Sequence, residues 1–286
     1  MITLLGLGPG NPAHLTQEAV HLLQNIPEIY LRTVQHPTVA SFPAQLQIYS
    51  FDELYDSSPS FDYVYAHIIE RILELARRPQ GVVYAVPGHP YVAEATCPEI
   101  VRRAKLEEIP VRIVEGMSFL EPTFSALGID PLPHFAIIDA LELADAHVPP
   151  FPSDAPALIA QLHSRTVANE VKLSLMEIYP DEHPTRLVHA AGTSQELVEN
   201  VPLHAIDQGE NIGLLTSLYI TPLEKGTSFE SFHEIIAHLR APNGCPWDRE
   251  QDHQSLRNNL LEETYETLVA LDVDDADHMR EEFGDL

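Results

Sequence analysis

Two carboxylate groups, "EETYE" at 262–266 and "EEFGD" at 281–285, carry the clearest chemical signal in this 286-residue chain. Glu263 and Glu266 are three residues apart and Glu262 and Glu266 four apart, which places carboxylates on a shared helix face. Glu282 and Asp285 repeat the spacing of three on the next segment. The polar stretch "LDVDDAD" between them has the length of a turn joining an antiparallel helix pair, with Asp274 or Asp275 as N-cap. Leu260, Leu261, Tyr265, Leu268 and Val269 supply apolar surface beside the acids. Pairing the helices would bring "ExxE" against "ExxD". Four carboxylates so gathered repel one another unless a hard cation binds, and an oxygen-only ligand set suits Mg²⁺ or Mn²⁺. Such a cation, shared between carboxylates and substrate phosphates, is a recurring arrangement for phosphoryl chemistry. On spacing alone the other reading stays open: an exposed acidic helix face in an acidic protein.

The second pattern lies at the opposite end. The apolar run "MITLLGLG" reads as a buried strand that ends in "GPGNP", where Gly6, Gly8 and Gly10 permit a tight turn and a close backbone approach. The G-x-G spacing is that of a dinucleotide loop, but Pro9 and the missing "xxG" break the full motif, and no "GK[ST]" follows. A second strand, "GVVYAV", runs into the turn "PGHP". Several strand-end turns together border ligands in α/β folds, although spacing does not name the ligand.

The elements that must position these turns alternate. "LTQEAVHLLQNI" reads as an amphipathic helix with Thr16 as N-cap, "EIYLRT" as a strand, "SFDYVYAHIIERILELARR" as a long helix and "YVAEATCPEIVRRAKLE" as another. A strand at 111–114, a turn at 115–118 and a helix at 119–127 repeat the unit. "HFAIIDALEL", "PALIAQLHS", "EVKLSLMEIYP", "TRLVHAAG" and "VPLHAIDQG" then alternate apolar strands with short helices. This order predicts an α/β fold in two lobes with a mostly parallel sheet. Beyond the polar "TPLEKGTSFES" the pattern changes: "SFESFHEIIAHLR" as a helix, "APNGCPWDREQDH" as a loop, "SLRNNLLEETYETLVALD" as a long helix and the start of another.

Composition excludes several classes. With 44% hydrophobic and 21% charged residues the chain is globular in character. No 18-residue apolar run is present, and the N-terminus lacks a basic n-region. Cys97 and Cys245 form no CxxC pair, which suits a reducing cytoplasm and speaks against a disulfide framework. A net charge of −27 works against binding to a nucleic-acid polymer or an anionic membrane.

"GLGPGNPAHLTQEA", from Gly6 to Ala19, resembles the tetrapyrrole (corrin/porphyrin) methylase family, whose members open on a strand followed by "GxGPGxPxxLTxxA". The family's "GDP" turn is "GHP" here, Gly88-His89-Pro90, and its third turn is "EGMSFL" around Gly116 and Ser118. The histidine changes the charge beside the ligand and is similar to a branch fused to a pyrophosphohydrolase. The resemblance covers about residues 1–222. It implies S-adenosylmethionine folded between two lobes and touched by Pro9, Gly88, His89, Pro90, Ser118 and Phe119, with Met176 of "SLMEIYP" as a further candidate. It also implies a tetrapyrrole-like or other methyl acceptor.

"HEIIAHLRAPNGCPWDREQDHQSLRNNLLEETYE" followed by "EEFGDL" closely resembles the start of the MazG nucleoside triphosphate pyrophosphohydrolases, over about residues 229–286. That likeness implies hydrolysis of nucleoside triphosphates to the monophosphate and pyrophosphate. It implies Glu263, Glu266, Glu282 and Asp285 as ligands of Mg²⁺ or Mn²⁺, with Glu262 as an auxiliary acid. Trp247, Asp248, Gln251 and Arg257 become structural or substrate-side candidates, and Trp247 is equally a core residue. The expected organisation is a first α/β lobe at 1–114, a second at 115–222, a linker at 223–228 and an incomplete all-α, MazG-like domain at 229–286. Because the family's helix continues past "EEFGDL", the chain is expected to be a fragment of a longer homo-oligomeric protein and to hydrolyse poorly by itself.

Overall fold

The computed structural model describes residues 1–57 and 60–286, which divide into two compact units, Met1–Leu223 and Glu224–Leu286. The first unit opens with β1 (Ile2–Gly6), α1 (Gln17–Asn25), β2 (Glu28–Leu31), β3 (Gln47–Ser50), α2 (Asp52–Ser57), α3 (Phe61–Ala76), β4 (Val82–Val86), α4 (Thr96–Leu106) and β5 (Val111–Val114). Its sheet has the order β3-β2-β4-β1-β5 and is parallel throughout. Strand β1 is buried along its whole length, as a parallel strand covered on both faces must be. Ile2 and Leu4 face α3 and α4, whereas Leu5 faces α1, so successive side chains feed two separate cores. Thr16 caps α1 as its type predicts, its Oγ1 accepting from the Ala19 N–H at 3.1 Å.

The second lobe contains α5 (Leu120–Leu127), β6 (Ala136–Asp139), α6 (Ala140–Asp145), β7 (Ala157–Ala160), α7 (Arg165–Met176), β8 (Pro184–His189), β9 (Leu197–Pro202) and β10 (Thr216–Ile220). Its sheet runs β6-β7-β10-β8-β9. Here the expectation of a mostly parallel sheet needs correction. Only the β6–β7 pair is parallel; β7–β10, β10–β8 and β8–β9 are antiparallel. Strands β8 and β9 follow one another through a short turn, and β10 then inserts between β7 and β8, so helical crossovers do not dictate direction.

The second unit is all helix and loop: α8 (Phe229–Leu239), α9 (Pro246–Glu250), α10 (Arg257–Asp272) and α11 (Ala276–Asp285). The segment read as a loop at 241–253 contains the short helix α9, started by Pro246, whose fixed φ suits a first helical position. Asp275 caps α11, its carboxylate accepting from the N–H groups of Asp277 and His278. Among the described residues no helix is long and apolar enough to cross a membrane.

Candidate functional site

Strands β1 and β4 are parallel neighbours, so the chains leaving their C-terminal ends run side by side. The Leu7 N–H donates to the Val86 carbonyl at 2.9 Å, and Gly8 and Gly88 exchange backbone hydrogen bonds at 3.2 and 2.8 Å. The turn after β5 closes on both. A Cβ on Gly6 would stand 2.6 Å from both Gly116 N and Gly88 O, and one on Gly116 would stand 2.4 Å from Gly88 O. Three turns thus pack backbone against backbone, which is why glycines recur there. Gly88 itself has φ +66° and open space where its Cβ would lie, so one side of the turn is free for close approach by a ligand. From the second lobe, Thr193 and Gly192 pack beside Gly10 and His14.

The residues that the family resemblance implied, Pro9, Gly88, His89, Pro90, Ser118 and Phe119, lie in or next to these three turns. Pro9 and Pro90 are buried within them, and His89 is partly exposed. The His89 Nδ1 accepts from the Tyr91 N–H at 3.0 Å, so its other ring nitrogen is the one that carries a proton in the neutral ring. Ser118 is buried; its hydroxyl donates to Glu121 at 2.6 Å and accepts from the Leu120 N–H, fixing the start of α5. Phe119 packs against the second lobe's Leu127, Leu158, Val188 and Tyr219 cluster. Met176 is not brought to the turns. It ends α7, about 17 Å along the helix from the strand-end loop at 161–164, and packs on the core of the second lobe.

Beneath the "PGHP" turn lies a polar assembly that sequence reasoning did not single out. Glu94 is 2% exposed at its side chain and forms an ion pair with Arg32. Arg32 also donates to the hydroxyls of Tyr55 and Tyr65, each at 2.9 Å. Burial alone would lower the Arg32 pKa, but Glu94 and the surrounding phenols hold it above its ordinary value. The Glu94 carboxylate also accepts from the N–H groups of Thr96 and Cys97, which delays the start of α4 to Thr96 and leaves residues 91–95 outside the helix. Next to it, Ala93 has φ +52° and its carbonyl accepts from the Gln161 side chain at 3.3 Å, tying the two lobes together; Gln161 has φ +62°. Nothing local in the sequence marks these pairs, because their partners lie 62 and 68 residues apart.

In the second unit, α10 and α11 pack as an antiparallel pair. Ligand atoms of Glu263, Glu266 and Glu282 all lie within 4.8 Å of one another. Glu282 is only 8% exposed, and its Oε2 is buried with no hydrogen-bond partner. Burial, and then the charges of Glu266, Asp285, Glu282 and Glu262, push the Glu263 carboxyl above its usual range. Asp285 therefore acts on Glu263 through its charge but stays outside the close group, as does the exposed Glu262. The Thr267 hydroxyl donates to the Glu263 carbonyl at 2.8 Å and lies 3.5 Å from the Glu282 carbonyl, at the seam of the two helices. A pocket of about 370 Å³ beside the acids is lined by Tyr265, Glu266, Val269, His278 and Glu282. His278, which sequence reasoning passed over, sits one turn before Glu282, with its Nε2 2.9 Å from Glu282 Oε1. That i,i+4 spacing was a readable signal. Trp247 is exposed, which removes the core reading for it within the described unit. The Arg240 guanidinium donates to the Asp248 carbonyl at 2.8 Å, so the 240–251 segment is tied to the end of α8.

Comparison with known proteins agrees with both halves. The profile of the Tetrapyrrole (Corrin/Porphyrin) Methylases matches residues 1–207, and that of the MazG nucleotide pyrophosphohydrolase domain matches residues 251–286. A Bacillus subtilis relative called uncharacterized protein YabN is 40% identical over 290 residues, covering 100% of this chain and 58% of the relative. This chain thus spans little more than half of that relative's length. The nucleoside triphosphate pyrophosphohydrolase/pyrophosphatase MazG of Thermotoga maritima is 48% identical over 63 residues, 22% of this chain and 25% of that protein. Among solved structures, uroporphyrin-III-C-methyltransferase from Thermus thermophilus superposes with a TM-score of 0.59 at 24% identity, over 77% of this chain and 93% of that one, a likeness of fold.

Proposed function

The chain belongs to the tetrapyrrole (corrin/porphyrin) methylases and carries a MazG segment, and from that premise we propose two joined activities in a cytoplasmic protein. The second unit is the divalent-cation site of a nucleoside triphosphate pyrophosphohydrolase, which converts a nucleoside triphosphate and water to the monophosphate and pyrophosphate. The observation that carries this reading is the orphaned Glu282 Oε2 beside Glu263 and Glu266. A buried carboxylate oxygen without a donor is costly, and two further carboxylates within 4.8 Å of the same group make it more so. An oxygen-only set of this kind fits Mg²⁺ or Mn²⁺. Glu263, Glu266 and Glu282 would hold the ion, Asp285 would add negative potential, and Glu262 lies outside as an auxiliary acid. When bound, such an ion offsets triphosphate charge and acidifies coordinated water. Tyr265 and Val269 offer apolar surface in the adjoining pocket for the sugar or base.

The first unit binds S-adenosylmethionine at the Gly6–Gly10, Gly88–Pro90 and Gly116–Phe119 turns. Its open side at Gly88, where no Cβ intrudes, fits a bulky ligand laid against backbone. When bound, that cofactor supplies a methyl group to a tetrapyrrole-like or other acceptor. A specific observation favours a second reading, in which this unit is a binding or assembly module. The imidazole and carboxylate of the 87–95 segment are both engaged structurally, His89 by the Tyr91 N–H and Glu94 by Arg32 and Thr96. Exposed Phe229, Phe232, Ile235 and Ile236 on α8 and Leu260, Leu261 and Leu268 on α10 support assembly of the second unit with another copy.

The hydrolase reading is tested by pyrophosphate release from nucleoside triphosphates. Release should require Mg²⁺ or Mn²⁺ and fall by more than about 100-fold in Glu263→Gln, beyond what loss of an outer-sphere partner costs. Release that is independent of the cation, or equal in the variant, would refute it.

A further inference from the structure

Glu282 is held at one oxygen and free at the other. Its Oε1 lies 2.9 Å from His278 Nε2, while Oε2 is buried and without a partner. Both residues sit on α11 four apart, so the helix itself sets the pair's geometry. An exposed pair at this spacing would steady the helix slightly and nothing more. This pair differs because Glu282 is 8% exposed and packed in the seam with α10. The imidazole remains partly exposed at the pocket, and its ring spans the gap between solvent and the buried carboxylate.

We infer that His278 is a positioning residue for the cation: its Nε2–H donates to Glu282 Oε1 and so turns Oε2 toward the Glu263 and Glu266 carboxylates as a ligand. Two consequences follow from hydrogen-bond chemistry. A carboxylate engaged at one oxygen loses rotational freedom about its last torsion, which lowers the entropy cost of metal binding. It is also steered to bind through a single oxygen, leaving room for water and phosphate oxygens around the ion. Among the described residues, the Glu263 and Glu266 carboxylates have no such hydrogen-bond partner, so Glu282 is the ligand that the protein pre-orients. This inference rests on the divalent-cation reading above.

The experiment is Mn²⁺ titration of the whole chain followed by electron paramagnetic resonance, with His278→Ala and His278→Gln as variants. Alanine removes the donor, whereas glutamine restores an N–H that reaches the same oxygen. The expected result is a Kd raised about 10- to 100-fold in His278→Ala, the range for loss of an outer-sphere partner, with His278→Gln staying near the wild type. Pulsed spectra of the bound Mn²⁺ should carry no nitrogen coupling, because the imidazole orients a ligand and is not one. Equal affinity in wild type and His278→Ala, or a nitrogen coupling that His278→Ala abolishes, would overturn the inference while leaving the cation site standing. If the wild type itself binds no Mn²⁺, the cation reading falls, and this inference with it.

Discussion

Replacing His36 by glutamine should make the first unit less sensitive to acid. His36 is 6% exposed, makes a hydrogen bond to the backbone of Gly8 and has an Nδ1 without a partner. Burial drives its pKa down from 6.5 to about 4, and the Gly8 bond offsets only part of that. In the unfolded chain the ring takes up a proton near pH 6.5, whereas in the folded chain it stays neutral until about pH 4. Its contribution is therefore fully present above pH 6.5 and is lost as pH falls toward 4. At about 1.4 kcal/mol per pH unit of difference, the loss amounts to about 3 kcal/mol. Glutamine keeps a donor for Gly8 and does not titrate in this window. The assay is amide hydrogen exchange of β1 and β4, corrected for intrinsic rates, at pH 7 and pH 4; the lone tryptophan, Trp247, lies in the other unit and would not report. Wild type should lose about 3 kcal/mol more than His36→Gln between the two pH values. An equal loss in both proteins would refute the reasoning, because the other titrating groups are common to them.

Further expectations concern the packing around the same turns. Gly6→Ala would drive a methyl group to within 2.6 Å of the Gly116 and Gly88 backbones, and thermal unfolding should show a loss of at least about 2 kcal/mol. Glu94→Ala leaves the Arg32 charge buried and unpaired; chemical denaturation should register about 3–5 kcal/mol, the cost of breaking one side of a buried ion pair. The same substitution frees the 87–95 segment, so calorimetric titration with S-adenosylmethionine should show weaker binding than in the wild type. Sedimentation should find a species heavier than one chain, and Leu260→Asp together with Phe232→Asp should shift it toward the monomer.

Much of the candidate site was legible because it depends on local periodicity. Carboxylates three and four apart on α10, their repeat on α11 and the Asp275 cap between them are all short-range signals, and the structure brings Glu263, Glu266 and Glu282 together accordingly. The depth of Glu282 was not legible, since burial of one acid in a run of acids depends on how two helices meet at Thr267. The parallel pairing of β1, β2, β4 and β5 followed from strands alternating with helices, whereas the edge strand β3, which joins β2 with no α-helix between them, was not legible. The antiparallel second sheet was not legible either, because β10 enters between strands whose sequence positions precede it by many residues, and "TSLYI" alone does not say which neighbours it takes. The Arg32–Glu94 pair stayed hidden for the same reason: its members belong to different strand-end loops and meet only when β2 and β4 pair. Met176, to which a likeness of sequence pointed, ends α7 and packs on the core of the second lobe.

The cation site is tested most directly by calorimetric titration of the chain with Mn²⁺, wild type against Glu282→Gln. The account predicts one saturable site in the wild type and at least about a 100-fold loss of affinity in the variant, exceeding the cost of losing an outer-sphere partner. Equal, unsaturable uptake of Mn²⁺ by both proteins would mean that the carboxylates are only an acidic helix face, and it would contradict the account at its centre.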